Sequence, residues 1–359
     1  MKTLLTFAGA IAFSAVAQAG SINYDFRGDW NSTDYNDAAA KPDYSKFYFK
    51  TGRVDFKGKL NDSVNYQLRW AYTKDQTPAK RDSASSGIEL GYITHKMSDM
   101  FSLSLGKMNT LIGGFEAATP GPDLYLTSAI YNKTSALALT GKNESTNNLL
   151  YNTGAKASFS FAEQSQVIDV VATDNIADSA NGVGSTDLNQ NRGLLGLVWR
   201  GAFMEKALNF MVSYHTVSPQ TTTTTAFNAK DAHNFASAGV KWDSDPMAVT
   251  VEYLTTNFKN DALGQTDTLN SIVAKFIYKM DMFTPRIEAT MSEEKREIGG
   301  TATNKFNGIG AAVEYKPTED NFRYHLAYAM YTDKLDGAAS DQTRQEIVLG
   351  ARMYGDFLK

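Results

Sequence analysis

The feature that most constrains this chain is the sorting of its connections by length. Segments in which apolar and polar residues alternate recur from about 21–31 through 343–357, and sixteen of them can be marked. A period of two belongs to strands with one face in an apolar environment and one in a polar environment. After every even segment the connection is very short: LNDS, MSDM, AEQS, FMEK, DSDP, KMDM and KPTED. After every odd segment it is long and polar, as in NDAAAKPDYS, TKDQTPAKRDSASS and SPQTTTTTAFNAKDA. A soluble β-sandwich has no reason to sort its loops this way. An outer-membrane barrel has one, with short turns on the periplasmic side and long loops outside. The expected fold is all-β, a transmembrane antiparallel β-barrel of about 16 strands, forming one domain over residues 20–359.

The stretch VDFKGKLNDSVNYQLRW, residues 54–70, shows the alternation at close range. Val54, Phe56 and Leu60 share one parity, with Asp55, Lys57 and Lys59 between them; Val64, Tyr66, Leu68 and Trp70 then alternate with Asn65, Gln67 and Arg69. In a barrel the apolar parity meets lipid. Phe159, Phe161, Phe203, Trp242, Tyr278, Phe283, Tyr315 and Phe322 lie on that parity beside the short turns, where an aromatic girdle is expected. The other reading of these rings is as ordinary core aromatics of a sandwich.

The N-terminus agrees with export. Met1-Lys2, an apolar run from Leu4 to Val16 and Ala17-Gln18-Ala19 give residues 1–19 the form of a cleaved secretory signal peptide. The run is too short to span a membrane as a helix, and no later apolar run is long enough. The chain has no cysteine, which excludes disulfides, thiolate metal sites and cysteine nucleophiles. The formal charge of −4, or −5 once Lys2 is removed, argues against nucleic acid as a partner.

Eight strands close around side chains, whereas about sixteen leave an aqueous channel. On the polar parity stand the basic residues Arg27, Arg53, Lys57, Arg69, Lys156, Arg200, Lys241, Lys275, Arg286, Lys316, Arg323 and Arg352. The acids are Asp25, Asp29, Asp55, Glu89, Asp169, Glu252, Glu288 and Glu314, so the wall leans basic by about four charges. Charged stripes in a pore set ion preference, and this one predicts a mild preference for anions. Five consecutive strands of a closed barrel supply Arg323, Arg352, Arg27, Arg53 and Arg69, one each. At matched heights they form an arginine stripe that hands an anion along. Otherwise they pair with Asp25, Asp55 or Glu314 and line a nonselective pore.

The longest connection, residues 109–146, is rich in apolar residues, among them Leu111, Ile112, Phe115, Leu124, Tyr125, Leu126, Ile130, Leu137 and Leu139. Water gives such a loop little reason to stay outside. The expectation is that this third outside loop folds into the lumen and narrows it, with Gly113-Gly114 and Pro120-Gly121-Pro122 supplying the bends. Glu116 and Asp123 then face the arginine stripe. The competing reading is a loop that caps the top or contacts a neighbouring subunit. His95, His215 and His325 fall on the inward parity and His233 near a loop, without metal-ligand spacing. No G-x-S-x-G stretch accompanies them. No catalytic residue, metal or cofactor is assigned, and the runs EEKRE at 293–297 and TTTTT at 221–225 read as solvated loop.

GRVDFKGKLNDSVNYQLRW, then IELGYITHK, then LSLGKMNTLIGGFE resemble the phosphate-selective porin O and P family of Gram-negative outer-membrane porins. The likeness is best over residues 50–116 and is one of pattern beyond. It implies a sixteen-stranded barrel, a homotrimer and passage of small anions along an arginine ladder past a folded-in third loop. Arg53 and Arg69 fall inside the matching stretch; Arg27, Arg323 and Arg352 rest on parity. The family's phosphate-binding lysine cluster has no assignable counterpart here, and two residues follow Phe357, where such barrels typically finish on the aromatic. The expected protein is a water-filled outer-membrane channel, surrounded by lipid, for passive diffusion of small hydrophilic solutes and ions, with phosphate-like anions among them. The alternatives are a plugged structural or adhesive barrel, and an outer-membrane hydrolase using His215 or His325.

Overall fold

The computed structural model describes residues 19–36, 43–72, 86–132, 149–174, 193–217, 232–298, 300–318 and 321–358. The expected signal peptide, apart from Ala19, lies outside them, as do Leu137, Leu139 and the threonine run. Sixteen strands form: β1 (Ala19–Tyr35), β2 (Tyr44–Lys59), β3 (Val64–Tyr72), β4 (Ser86–Lys96), β5 (Phe101–Asn109), β6 (Tyr151–Phe161), β7 (Gln166–Asp174), β8 (Gly193–Phe203), β9 (Leu208–Val217), β10 (Ala232–Ser244), β11 (Met247–Asn260), β12 (Gln265–Tyr278), β13 (Phe283–Arg296), β14 (Ala302–Tyr315), β15 (Phe322–Lys334) and β16 (Gln342–Asp356). Each pairs antiparallel with its sequence neighbours, and β1 pairs β16 from Asn23↔Asp356 to Tyr35↔Arg344, closing the barrel. Closure satisfies every strand edge, which a membrane requires.

The two faces are inverted relative to a soluble protein. Leu195, Leu197, Val212, Tyr214, Val251 and Tyr253 are exposed, while Asp169, Ser213, His215, Ser237 and Glu252 are buried on the opposite parity. An apolar outer face of this kind is the lipid-facing band of an outer-membrane barrel. Beside the short turns, aromatic rings pair on that face: Phe101 with Phe159 and Phe283 with Tyr315, each at 5.0 Å between centroids. The LNDS turn is held locally. Asn61 Oδ1 accepts hydrogen bonds from the backbone N–H groups of Ser63 and Val64, both at 2.9 Å.

Two expectations need correction. Glu293 to Arg296 are the end of β13 and not loop; Glu294 turns inward to accept from Asn304, and Glu293 turns outward toward Lys295 and Lys305. His95 faces outward and is exposed, because a β-bulge between β3 and β4 puts Glu89 in as an extra residue and reverses the parity after it. Beyond the bulge Leu90 pairs Arg69 and is buried, while His95 pairs Val64 on the lipid face. His233 is the second residue of β10, at its long-connection end as expected, and is fully buried beside Thr256.

Candidate functional site

Strand register fixes the heights that parity alone leaves open. Arg323, Arg352 and Arg27 are direct cross-strand neighbours on β15, β16 and β1. Arg53 then pairs Asp25, and Arg69 pairs Asp55, so the row steps two residues per strand toward the short turns. Two residues are about 7 Å along a strand. Like charges directly opposite one another repel, and each arginine meets a carboxylate. Arg27 reaches Asp29 at 2.9 Å, Arg53 reaches Glu89 at 2.8 Å and Arg69 reaches Asp55 at 2.6 Å. Arg352 reaches Asp25 at 2.7 Å and Arg323 reaches Glu314 at 3.0 Å. Level heights and pairing therefore coexist in the upper three residues. Lys57 is held more loosely, 4.0 Å from Asp55, with its side chain 48% exposed.

The segment 110–132 adds its own groups to this row. Its short helix Gly114–Ala118 packs on β9, β10 and β11, while the single turn Gly121–Asp123 meets β2 on the opposite arc. The carboxylate of Asp123 accepts from Arg323 and, at 2.6 Å, from Arg352; its carbonyl accepts from Arg286 at 3.0 Å. The Pro122 carbonyl accepts from Arg27. The Tyr125 ring lies 4.7 Å from the Arg27 guanidinium and 5.0 Å from that of Arg286, with its hydroxyl donating to Glu314. Burial alone would raise the Asp123 carboxyl, but Arg352, Arg323 and Arg286 outweigh it and hold the group below the usual carboxylate range. Glu116 does not join the arginines. It accepts from the N–H and hydroxyl of Ser128, and burial pushes its carboxyl up against the opposing pull of Lys275. The helix turns residue 116 toward the β9–β11 arc, and the Pro120–Pro122 bend carries residue 123 to the other side.

Wall carboxylates anchor the segment by its backbone. Glu252 accepts the N–H groups of Phe115 and Glu116 at 2.6 and 2.9 Å, and Glu288 accepts that of Leu126 at 3.1 Å. Gly113 and Gly114 take left-handed φ of 82° and 61°. A Cβ on Gly114 would stand 1.7 Å from Glu252 Oε1, and one on Gly239 would meet the Phe115 ring at 2.8 Å. Those glycines let the segment lie close to the wall. Ile112, Ala117, Leu124 and Tyr131 pack with Val171, Leu194, Val217 and Phe235, and Ile130 with Leu254, Phe258 and Leu269. These apolar wall residues were missed as part of the site. Their signal in the sequence is a break in alternation, since β7 and β8 carry apolar residues on both parities.

Open space lies on the other arc. A cavity of about 400 Å³ is bounded by Arg53, Lys57, Arg69 and Arg352 on the wall and by Ala117 to Pro120 of the segment. A second, of about 1150 Å³ at the short-turn end, shares Asn23, Tyr24, Asp25, Lys57 and Arg352 with it. His215 Nε2 lies 3.0 Å from the Thr110 carbonyl oxygen, and His325 Nε2 lies 2.9 Å from Asp29 beneath Tyr125; both rings are buried.

Among solved structures, an anion-selective porin from Comamonas acidovorans superposes with a TM-score of 0.67 at 12% identity, covering 93% of this chain and 99% of its own. The outer membrane channel DcaP of Acinetobacter baumannii gives 0.64 at 12% identity, covering 93% and 96%. OmpT of Vibrio cholerae, in its trimer form, gives 0.60 at 14% identity, covering 94% and 100%. These likenesses establish the fold. No curated protein sequence matches the chain. The sequence model described as phosphate-selective porin O and P matches residues 21–195, which takes in the arginines of β1, β2 and β3 and the whole segment that meets them. Over residues 21–195 the chain is therefore similar to the phosphate-selective porin O and P family, and as a whole it is a closed outer-membrane barrel of the porin kind.

Proposed function

We propose that this chain is an outer-membrane channel for passive diffusion of small hydrophilic solutes and ions, with a mild anion preference, and that the segment 110–132 is folded into the lumen as its constriction. The observation that carries the reading is the division of labour around the wall. The segment is pinned by its backbone at Glu252 and Glu288 and by Asp123 at Arg323 and Arg352, and the smaller cavity lies between its residues 117–120 and the stretch of wall that holds Arg53, Lys57 and Arg69. Arg53, Arg69 and Arg352 at the smaller cavity are paired with Glu89, Asp55, Asp25 and Asp123, and Lys57 adds a loosely held cation open to the cavity, which favours anions in a confined aqueous path.

In this reading residues 1–19 are removed on export and residues 20–359 form the barrel. Three copies associate through their outer faces, as one relative is described in a trimer form. A plugged barrel is the second reading, favoured by the apolar packing of Ile112, Leu124 and Ile130 against the wall. Swelling of liposomes carrying the refolded barrel in isosmotic sugars separates the two. An open constriction admits small sugars and rejects larger ones. Absence of swelling in every sugar, from protein that runs as a folded barrel, would leave the plugged reading standing.

A further inference from the structure

The cations around the smaller cavity are not equally available to a solute. Arg53 donates from Nη2 to Glu89 at 3.0 Å, with its Nε 2.8 Å from the same carboxylate. Arg69 gives Nε and Nη2 to Asp55 at 2.8 and 2.6 Å. Arg352 gives Nε and Nη2 to Asp25 and Nη1 to Asp123. A guanidinium with one edge on a fixed carboxylate keeps other N–H donors, but that pair neutralises most of its charge, so it attracts a further oxyanion less than a loosely paired cation does. Lys57 differs: its nearest carboxylate is 4.0 Å away, its side chain is about half exposed, and it lines both cavities, so it stands where they join. Neutral hydrogen-bonding groups surround the same space. The Tyr92 hydroxyl donates to Gln67, whose amide donates to Asp55, and Asn23 and Asn109 complete the lining.

We infer that this cavity is a selectivity site for singly charged, hydroxyl-bearing carboxylates, with Lys57 as the exchangeable cation and the amide and phenol groups taking the solute's hydroxyls. The inference rests on the open-pore reading above. A multiply charged phosphate needs several uncommitted cations to replace its hydration, and this cavity presents one that is loosely held. The volume of about 400 Å³ is within the range of small-molecule sites and admits a sugar acid. A half-exposed lysine binds weakly, which suits a passage that a solute must leave as readily as it enters.

The test records single-channel chloride current of the refolded barrel at neutral pH, then adds potassium gluconate or inorganic phosphate as the probe anion. The site predicts that gluconate reduces the current at a concentration about fivefold lower than phosphate does. Lys57→Ala raises the gluconate concentration needed by about fivefold, Lys57→Arg restores it, and phosphate is little affected by either. Phosphate acting at the lower concentration, or gluconate acting equally on the wild type and Lys57→Ala, overturns the site while the chloride current keeps the pore. Absence of any chloride current overturns the pore and the site together.

Discussion

At the residue scale, Asp123 is the carboxylate around which the upper arginines are arranged. Three guanidiniums side by side on β15, β16 and β1 repel one another. Asp123 binds two of them directly, and Asp25, Asp29 and Glu314 complete their neutralisation. Asp123→Asn removes the charge and keeps an acceptor, so the barrel should stay folded while the wall gains about one net positive charge. The expected outcome is a reversal potential shifted toward chloride; a shift toward potassium would contradict this assignment. The pH dependence follows from the depressed carboxyl. A carboxyl held below its unfolded value contributes stability above that value and loses it only as pH falls through the folded one. The Asp123 contribution, read as the difference in reversal potential between the wild type and Asp123→Asn, should therefore hold from pH 7 to about 5 and fall only below about pH 4, near and under the ordinary aspartate value. Recording both channels through an acid series checks it.

Elements show where the sequence was legible and where it was not. The strands were readable because lipid outside and water inside impose a strict period of two; even the short turns fall where LNDS, AEQS and FMEK stand. The bulge at Glu89 was not, since one extra residue in a strand has no composition signature, and it reversed the placement of His95. Asp123 meets the arginines as the folded-in loop leads one to expect, whereas Glu116 does not. Its direction depends on Glu252 accepting two backbone N–H groups, a contact between residues 136 and 137 positions apart in sequence. Glu252→Ala leaves those N–H groups without their acceptor, a loss of about 1–3 kcal/mol for a buried donor. It should loosen the constriction and raise both conductance and current noise. Gly114→Ala should do the same through a clash, because its added methyl meets Glu252 at a left-handed φ of 61°. Unchanged single-channel current in both variants would show that the segment does not limit flow.

At the scale of the whole molecule, sixteen strands enclose more space than side chains fill, and in the proposed reading residues 110–132 take up part of it. Anchoring their backbone at Glu252 and Glu288 leaves a cavity between residues 117–120 and the wall that carries Arg53, Lys57 and Arg69. In the proposed reading, size cutoff and charge preference come from different parts of one chain. Subunit number is a separate property, read from mobility on unheated gels. A slow band that collapses to the monomer on boiling is expected, and monomer alone before heating would remove the trimer.

Single-channel recording of the refolded barrel in planar bilayers, with the reversal potential taken across a potassium chloride gradient, tests the central claim most directly. The arrangement predicts steady conductance with chloride favoured over potassium, and a weaker chloride preference in Arg53→Ala and Arg69→Ala. A stably folded barrel that carries no current, or one that favours potassium, would contradict it.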